Sequence, residues 1–155
     1  MSRIEMPSGE TIDVLHSGAP AFEFEAVVPP GVAGPPPHRH RGVTESFTVV
    51  EGVLRVRVGG WTSVLRAGEG IVVPPGVTHS FTNGSDDPVR VRTVESPAGS
   101  LEDQFRILAT AGRLPPLRRL ARLNVAHDLD FSLAGVPDAV QRPLWRLLAA
   151  LPGRS

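Results

Sequence analysis

The sequence predicts a mainly β protein, an antiparallel barrel or sandwich followed by a short helical region. Three observations carry this. Short apolar runs of strand length recur from Thr11 to Val94, and Gly- and Pro-rich turns separate them. Inside the runs, apolar and polar residues alternate with period two, as in Phe22-Glu23-Phe24-Glu25, the signature of a sheet with one buried face. After Pro97 the apolar period lengthens to that of a helix.

In chain order, residues 1 to 9 read as a loose arm. Strands are predicted over Thr11–Leu15 and Ala21–Val28, split by Ser17-Gly18-Ala19-Pro20. The stretch from Pro29 to Pro37 is rich in Pro and Gly, which fixes φ and biases each preceding residue away from the helix, so the chain reaches His38 extended. Further strands are predicted over Thr44–Val50, Val53–Val58, Trp61–Leu65, Ile71–Val73, Thr78–Thr82 and Val89–Val94. Strands this short with turns this regular suit a closed or double-layered sheet. Ser100-Leu101-Glu102-Asp103 resembles a capping box that starts a helix, with Gly112 placed as a C-cap. A second helix is expected over Leu117 to about Ala126. A third is expected between Pro137 and Leu151, kinked or begun by Pro143. The division expected is a barrel over 1–96 and a helical extension over 97–155, packed on the barrel or at a homodimer interface.

The chain has 155 residues, the size of one domain. Sixteen basic residues, all Arg, balance sixteen acidic ones, so no net field favours nucleic acid or a membrane, and neither is expected as a partner. The absence of Cys excludes disulfides, thiolate metal sites and cysteine nucleophiles. No apolar run has the length of a signal peptide or a membrane span, so a cytoplasmic location is expected.

Chemistry concentrates in two stretches, Pro37-His38-Arg39-His40-Arg41-Gly42-Val43-Thr44-Glu45 and Pro74-Pro75-Gly76-Val77-Thr78-His79. In an extended strand His38 and His40 point to one side. Glu45 is in phase with Phe47 and Val49, and His79 with Phe81, so both face the interior. Three neutral imidazoles and a carboxylate inside a barrel are either a metal site or four costly buried polar groups. The metal site is the easier solution.

The spacing of His38, His40, Glu45 and Gly52 resembles the first motif of the cupin superfamily, and that of Gly68, Pro74, Gly76, His79 and Asn83 resembles the second. Chance would produce the second spacing on the order of once in a million positions. One position departs from the pattern: Val32 stands where the first motif ordinarily begins with Gly, flanked by Gly31 and Gly34. The resemblance covers about Thr11 to Glu95. It implies a double-stranded β-helix, or jelly-roll barrel, with His38, His40, Glu45 and His79 as ligands of one divalent transition metal, and with Asn83 as a structural turn residue. Three nitrogens and one oxygen suit Fe, Mn, Ni, Co, Zn or Cu. By alternation, Phe47, Val49, Leu54, Val56 and Phe81 are the expected pocket lining. The expected function is a metalloenzyme of dioxygenase-like oxidoreductase type acting on a small organic or aromatic substrate. A metal-dependent isomerase or lyase, or a non-catalytic binding or sensing module, is the alternative.

The remaining candidates read as ordinary surface chemistry. His16 and His127 lie outside the motifs. Arg55, Arg57, Arg90 and Arg92 alternate with apolar residues as solvent faces of strands. Arg113, Arg118, Arg119 and Arg122 read as a solvated helix face, because the Leu114-Pro115-Pro116 linker does not suit a helix-turn-helix.

Overall fold

A computed structural model describes residues 2–112 and 115–152, so Arg113 and Leu114 lie outside the described residues. Eleven strands run β1 Ser2–Glu5, β2 Thr11–His16, β3 Phe22–Val28, β4 His38–His40, β5 Thr44–Glu51, β6 Val53–Val58, β7 Trp61–Arg66, β8 Gly70–Val73, β9 His79–Thr82, β10 Val89–Ser96 and β11 Phe131–Leu133. Three helices, α1 Leu101–Ala109, α2 Leu117–Ala126 and α3 Asp138–Ala150, fall where the apolar periodicity places them. All pairings are antiparallel. One sheet has the order β1-β2-β3-β10-β5-β8, the other β11-β4-β9-β6-β7. This is a jelly roll with its core between the two sheets.

Alternation decides the faces. In β3, Phe22, Phe24, Ala26 and Val28 are buried between partly exposed neighbours. They form one core cluster with Ile4, Ile12, Val14 and Leu101. The rings of Phe22 and Phe24 stack at 5.1 Å, and Phe105 of α1 meets Phe24 edge-on at 5.1 Å. A second cluster joins Phe47, Val49, Leu54, Val56, Leu65, Val73, Val89 and Val91. Arg55, Arg57, Arg90 and Arg92 are exposed, as strand phase requires.

Several details differ from the sequence reading. The first residues are not a loose arm: Ser2 to Glu5 pair with Val14 to Thr11, and Ile4 is buried. A four-residue strand with one inward apolar side chain is too short for alternation to reveal. β11 escapes for the same reason, yet it pairs with β4 and so brings the region after Pro97 into the second sheet. Helix α1 ends at Thr110 rather than at Gly112. Pro143 lies inside α3. The apolar residues of α3 do recur at helical spacing, but Val140, Leu144 and Leu147 point outward, while Trp145 turns inward against Phe131.

Two turns position the site. Gly52 and Gly76 adopt φ +90° and +81°, values open to glycine without a Cβ clash. Gly76 N donates to His40 O at 2.6 Å, tying the turn before β9 to the end of β4. The departure at Val32 leaves the lead-in turn intact: Val32 O accepts from Asn83 N at 2.9 Å, and Gly34 N donates to Phe81 O at 3.1 Å.

Candidate metal centre

The short strand β4 lies between β9 and β11, with His38 directly opposite His79. Glu45 enters from the other sheet at the start of β5. His38, His40, Glu45 and His79 are each almost fully removed from solvent, at 6%, 3%, 4% and 3% exposure. They offer one ligand atom each, all within 4.8 Å of one another, a cluster that could hold a metal ion. The convergence expected from strand phase is therefore present. His16 and His127 are not part of it.

The outer nitrogens set the tautomers. His38 Nδ1 lies 2.9 Å from Pro36 O, His79 Nδ1 lies 3.1 Å from Val77 O, and His40 Nδ1 lies 2.9 Å from Asp130 Oδ2. A carbonyl or carboxylate oxygen can only accept, so each Nδ1 carries a proton and each ring turns its Nε2 inward. His79 Nε2 is 2.6 Å from Glu45 Oε2, and His40 Nε2 is 3.7 Å from it. His40 Nε2, His79 Nε2 and Glu45 Oε2 are buried without a hydrogen-bond partner. Acceptors gathered this closely need a shared cation, either protons or a metal ion. A metal with three nitrogen ligands and one oxygen ligand fits the donor set and leaves open positions on the ion.

The electrostatics differ from ring to ring. Burial, then the neighbouring His79 and His40, lowers the His38 pKa to about 4, so this ring is neutral near pH 7. Burial opposes charge on His40, but Asp130 and Glu45 outweigh it and hold its pKa above the usual histidine value. Burial likewise works against the Glu45 carboxylate, and its pKa still falls because His79, His40 and His38 surround it.

Two participants were not legible in sequence. Asp130 follows Asp128 and Leu129, both left-handed at φ 56° and 57°, and this turn aims it back at β4. Its Oδ1 accepts from Arg41 N at 2.9 Å and Gly42 N at 2.7 Å while Oδ2 orients His40. Phe131 then stacks on His38 at 5.0 Å and screens the cluster from outside. An outer carboxylate of this kind fixes ring orientation and raises ligand basicity. Asp130→Ala is expected to weaken metal affinity about 10–100-fold without abolishing binding; isothermal titration of the metal-free protein measures it, and an unchanged affinity would remove Asp130 from the site.

The second is Glu95, fully buried on β10 and paired in register with Glu45. Oε2 accepts from Gly99 N at 2.8 Å, whereas Oε1 has no partner. Burial, partly offset by Gly99 and reinforced by Glu45, pushes its pKa up to about 7 from 4.5. The folded protein thus holds a proton that the unfolded chain releases between these values, and stability falls as pH rises through that window. Glu95→Gln keeps the Gly99 bond and lacks the titration. It is expected to match wild type near pH 4 and exceed it at pH 8 by about 2–3 kcal/mol, read from urea unfolding at both pH values; a difference that does not change with pH would contradict the assignment.

A cavity of about 270 Å³ opens beside the cluster, with His38, Glu45 and His79 in its wall. Of the expected lining, Phe47, Leu54 and Phe81 border it. Val49 and Val56, 0% and 1% exposed, pack into the second core cluster instead, because alternation selects the inward face but not which part of that face is filled.

Residues 24–95, which contain all four cluster residues, match the family model of the cupin domain. The TT1209 protein from Thermus thermophilus is 25% identical with a TM-score of 0.56, over 59% of this chain and 87% of that one. KdgF from a Halomonas species is 21% identical with a TM-score of 0.57, over 63% and 88%. A cupin-superfamily sugar phosphate isomerase from Silicibacter pomeroyi is 19% identical with a TM-score of 0.56, over 62% and 71%. No curated protein matches the chain in sequence. Residues 24–95 of this chain are thus a cupin domain, and the barrel they build shares the fold of these structures.

Proposed function

We propose that the protein is a metal-dependent enzyme, of dioxygenase-like oxidoreductase type, acting on a small organic or aromatic molecule. His38, His40, Glu45 and His79 would hold one divalent transition metal ion. The observation that carries this reading is the set of three imidazoles held outward by Nδ1, converging with a buried carboxylate beside a cavity large enough for a substrate. The ion would supply Lewis acidity and, with a redox-active metal, dioxygen activation. The chain's own part is to hold the three rings by their Nδ1 hydrogen bonds, to keep Glu45 ionised, and to exclude water with Phe47, Phe81 and Phe131.

Anaerobic purification, metal quantitation and an oxygen-uptake screen against phenolic and dicarbonyl compounds test it. Metal-dependent uptake with at least one class, lost in His79→Ala, is expected. Full metal content with no uptake across the panel would favour the binding or sensing module. An isomerase acting on a sugar phosphate suits the cavity less well, because its described lining has no Arg or Lys to meet a phosphate.

A further inference from the structure

The cavity is built only in part by the segment shared with the cupin family. It takes in His38, Glu45 and His79 of the cluster, inside residues 24–95. Further lining comes from chain outside that segment: Met6, Ser8 and Glu10 from the β1–β2 turn, and Leu101, Phe105 and Leu108 from α1. These flanks are fastened to one another. Ser17 donates to Glu102 at 2.5 Å, and Arg106 both pairs with Glu102 at 2.6 Å and reaches Ser2 at 3.4 Å. Exposed members of the lining, Ser8, Ala33, Pro35 and Pro36, lie in the β1–β2 turn and the Pro-rich segment before β4, and mark the opening.

The chemistry of the walls is one-sided. Phe24, Phe47, Phe81 and Phe105 join a larger number of aliphatic residues, so the walls are mostly apolar. Away from the cluster, the one ionisable group among the described lining residues is Glu10, whose Oε2 accepts from Ser8 Oγ at 2.8 Å. No cation among those residues faces it. A substrate anion placed beyond the metal-binding group would lose its water with nothing to compensate, and would meet a carboxylate as well. An N–H, O–H or ammonium group at the same place would find an acceptor. The volume, about 270 Å³, sits at the small end of ligand pockets.

Resting on the proposed metal site, we infer that the substrate is a small, mainly aromatic or aliphatic molecule, neutral or cationic beyond its metal-binding end, with Glu10 selecting against an anionic tail. The residues that set this choice are those of the flanks, which distinguishes it from the fold.

A matched series tests it. The Zn²⁺-loaded full chain is titrated calorimetrically with 4-ethylcatechol, 4-(2-aminoethyl)catechol and 3-(3,4-dihydroxyphenyl)propanoate, which share a chelating head and differ in the tail. The neutral and cationic ligands are expected to bind at least tenfold more tightly than the carboxylate. Glu10→Gln should shrink the gap between amine and carboxylate severalfold, with Zn²⁺ content and melting temperature unchanged. Equal or tighter binding of the carboxylate, binding by none of the three, or a gap that Glu10→Gln leaves intact would overturn the inference. Failure of the metal site is read separately, as Zn²⁺ absent from wild type. In that case 4-ethylphenol, tyramine and 3-(4-hydroxyphenyl)propanoate, which lack the chelating pair, are titrated into the metal-free chain, and the same order of tails supports the cavity's selectivity, while its reversal or absence overturns it.

Discussion

His79→Ala is expected to lose more than about 100-fold in metal affinity and to be purified with little metal, while its secondary structure stays that of wild type. The magnitude follows from position. Loss of an outer partner of a ligand typically costs about 10–100-fold, and His79 would be a ligand itself. Its Nε2 lies closest to Glu45, at 2.6 Å, so removing it opens one side of the cluster and frees the carboxylate it faces. The fold has little reason to suffer. The imidazole makes one hydrogen bond, to Val77 O, and β9 is held by a four-pair backbone ladder with β6 and by the His38–His79 backbone pair with β4. His40→Ala should behave likewise. Elemental analysis of the three proteins after identical purification is the check; equal metal content in all three would remove these residues as ligands.

Asn83→Ala is expected to destabilise the protein by about 3 kcal/mol, with metal affinity little changed. Asn83 is fully buried. Its Nδ2 donates to Val28 O, Pro29 O and Asp87 O at 2.9, 3.1 and 2.8 Å, and its Oδ1 accepts from Ser85 N and Ser85 Oγ at 3.0 and 2.7 Å. One side chain thus satisfies the end of β3, the turn after β9 and the entry to β10. Alanine removes the donor from the buried Val28 O and the half-buried Pro29 O, at about 1–3 kcal/mol for a buried group left unpaired, while Asp87 O keeps Ser85 Oγ. Asn83→Asp should do at least as much harm, since it turns an oxygen toward those carbonyls. Urea unfolding measures both, and a loss under about 1 kcal/mol for alanine would contradict the role.

The difference between these variants explains what the sequence could convey. His38, His40, Glu45 and His79 were legible because strand phase aims each side chain inward, and phase follows from period two. Asn83 was legible as a turn residue, but not its five hydrogen bonds, which depend on three separate segments meeting. Asp130 was not legible at all. It lies 90 residues from His40 in sequence and reaches it through a left-handed turn and a three-residue strand that has no pattern of its own. Glu95 falls just beyond the strand predicted over Val89–Val94, and nothing in the sequence sets it apart from other surface carboxylates. The register that sets it beside Glu45, with Gly99 folded over it, is a property of the assembled sheet. Pocket lining was legible in part: phase placed all five residues inward, Phe47, Leu54 and Phe81 border the cavity, and packing keeps Val49 and Val56 off its wall.

The described chain contains no helix long and apolar enough to cross a membrane. Arg118 and Arg122, read as a solvated basic face, serve the end of α3. Arg122 Nε donates to Ala149 O at 3.0 Å, and Arg118 donates to Leu151 O at 3.5 Å. Cationic side chains at the carboxyl end of a helix satisfy its last carbonyls and its dipole.

The central claim is that His38, His40, Glu45 and His79 hold one metal ion. Crystals of the protein grown with Mn²⁺ or Zn²⁺, measured at the absorption edge of that metal, test it most directly. The account predicts one strong anomalous peak per chain, within about 2.0–2.3 Å of the three Nε2 atoms and a Glu45 oxygen. A fully loaded protein whose peak lies elsewhere, or no peak at the cluster at saturating metal, would contradict it.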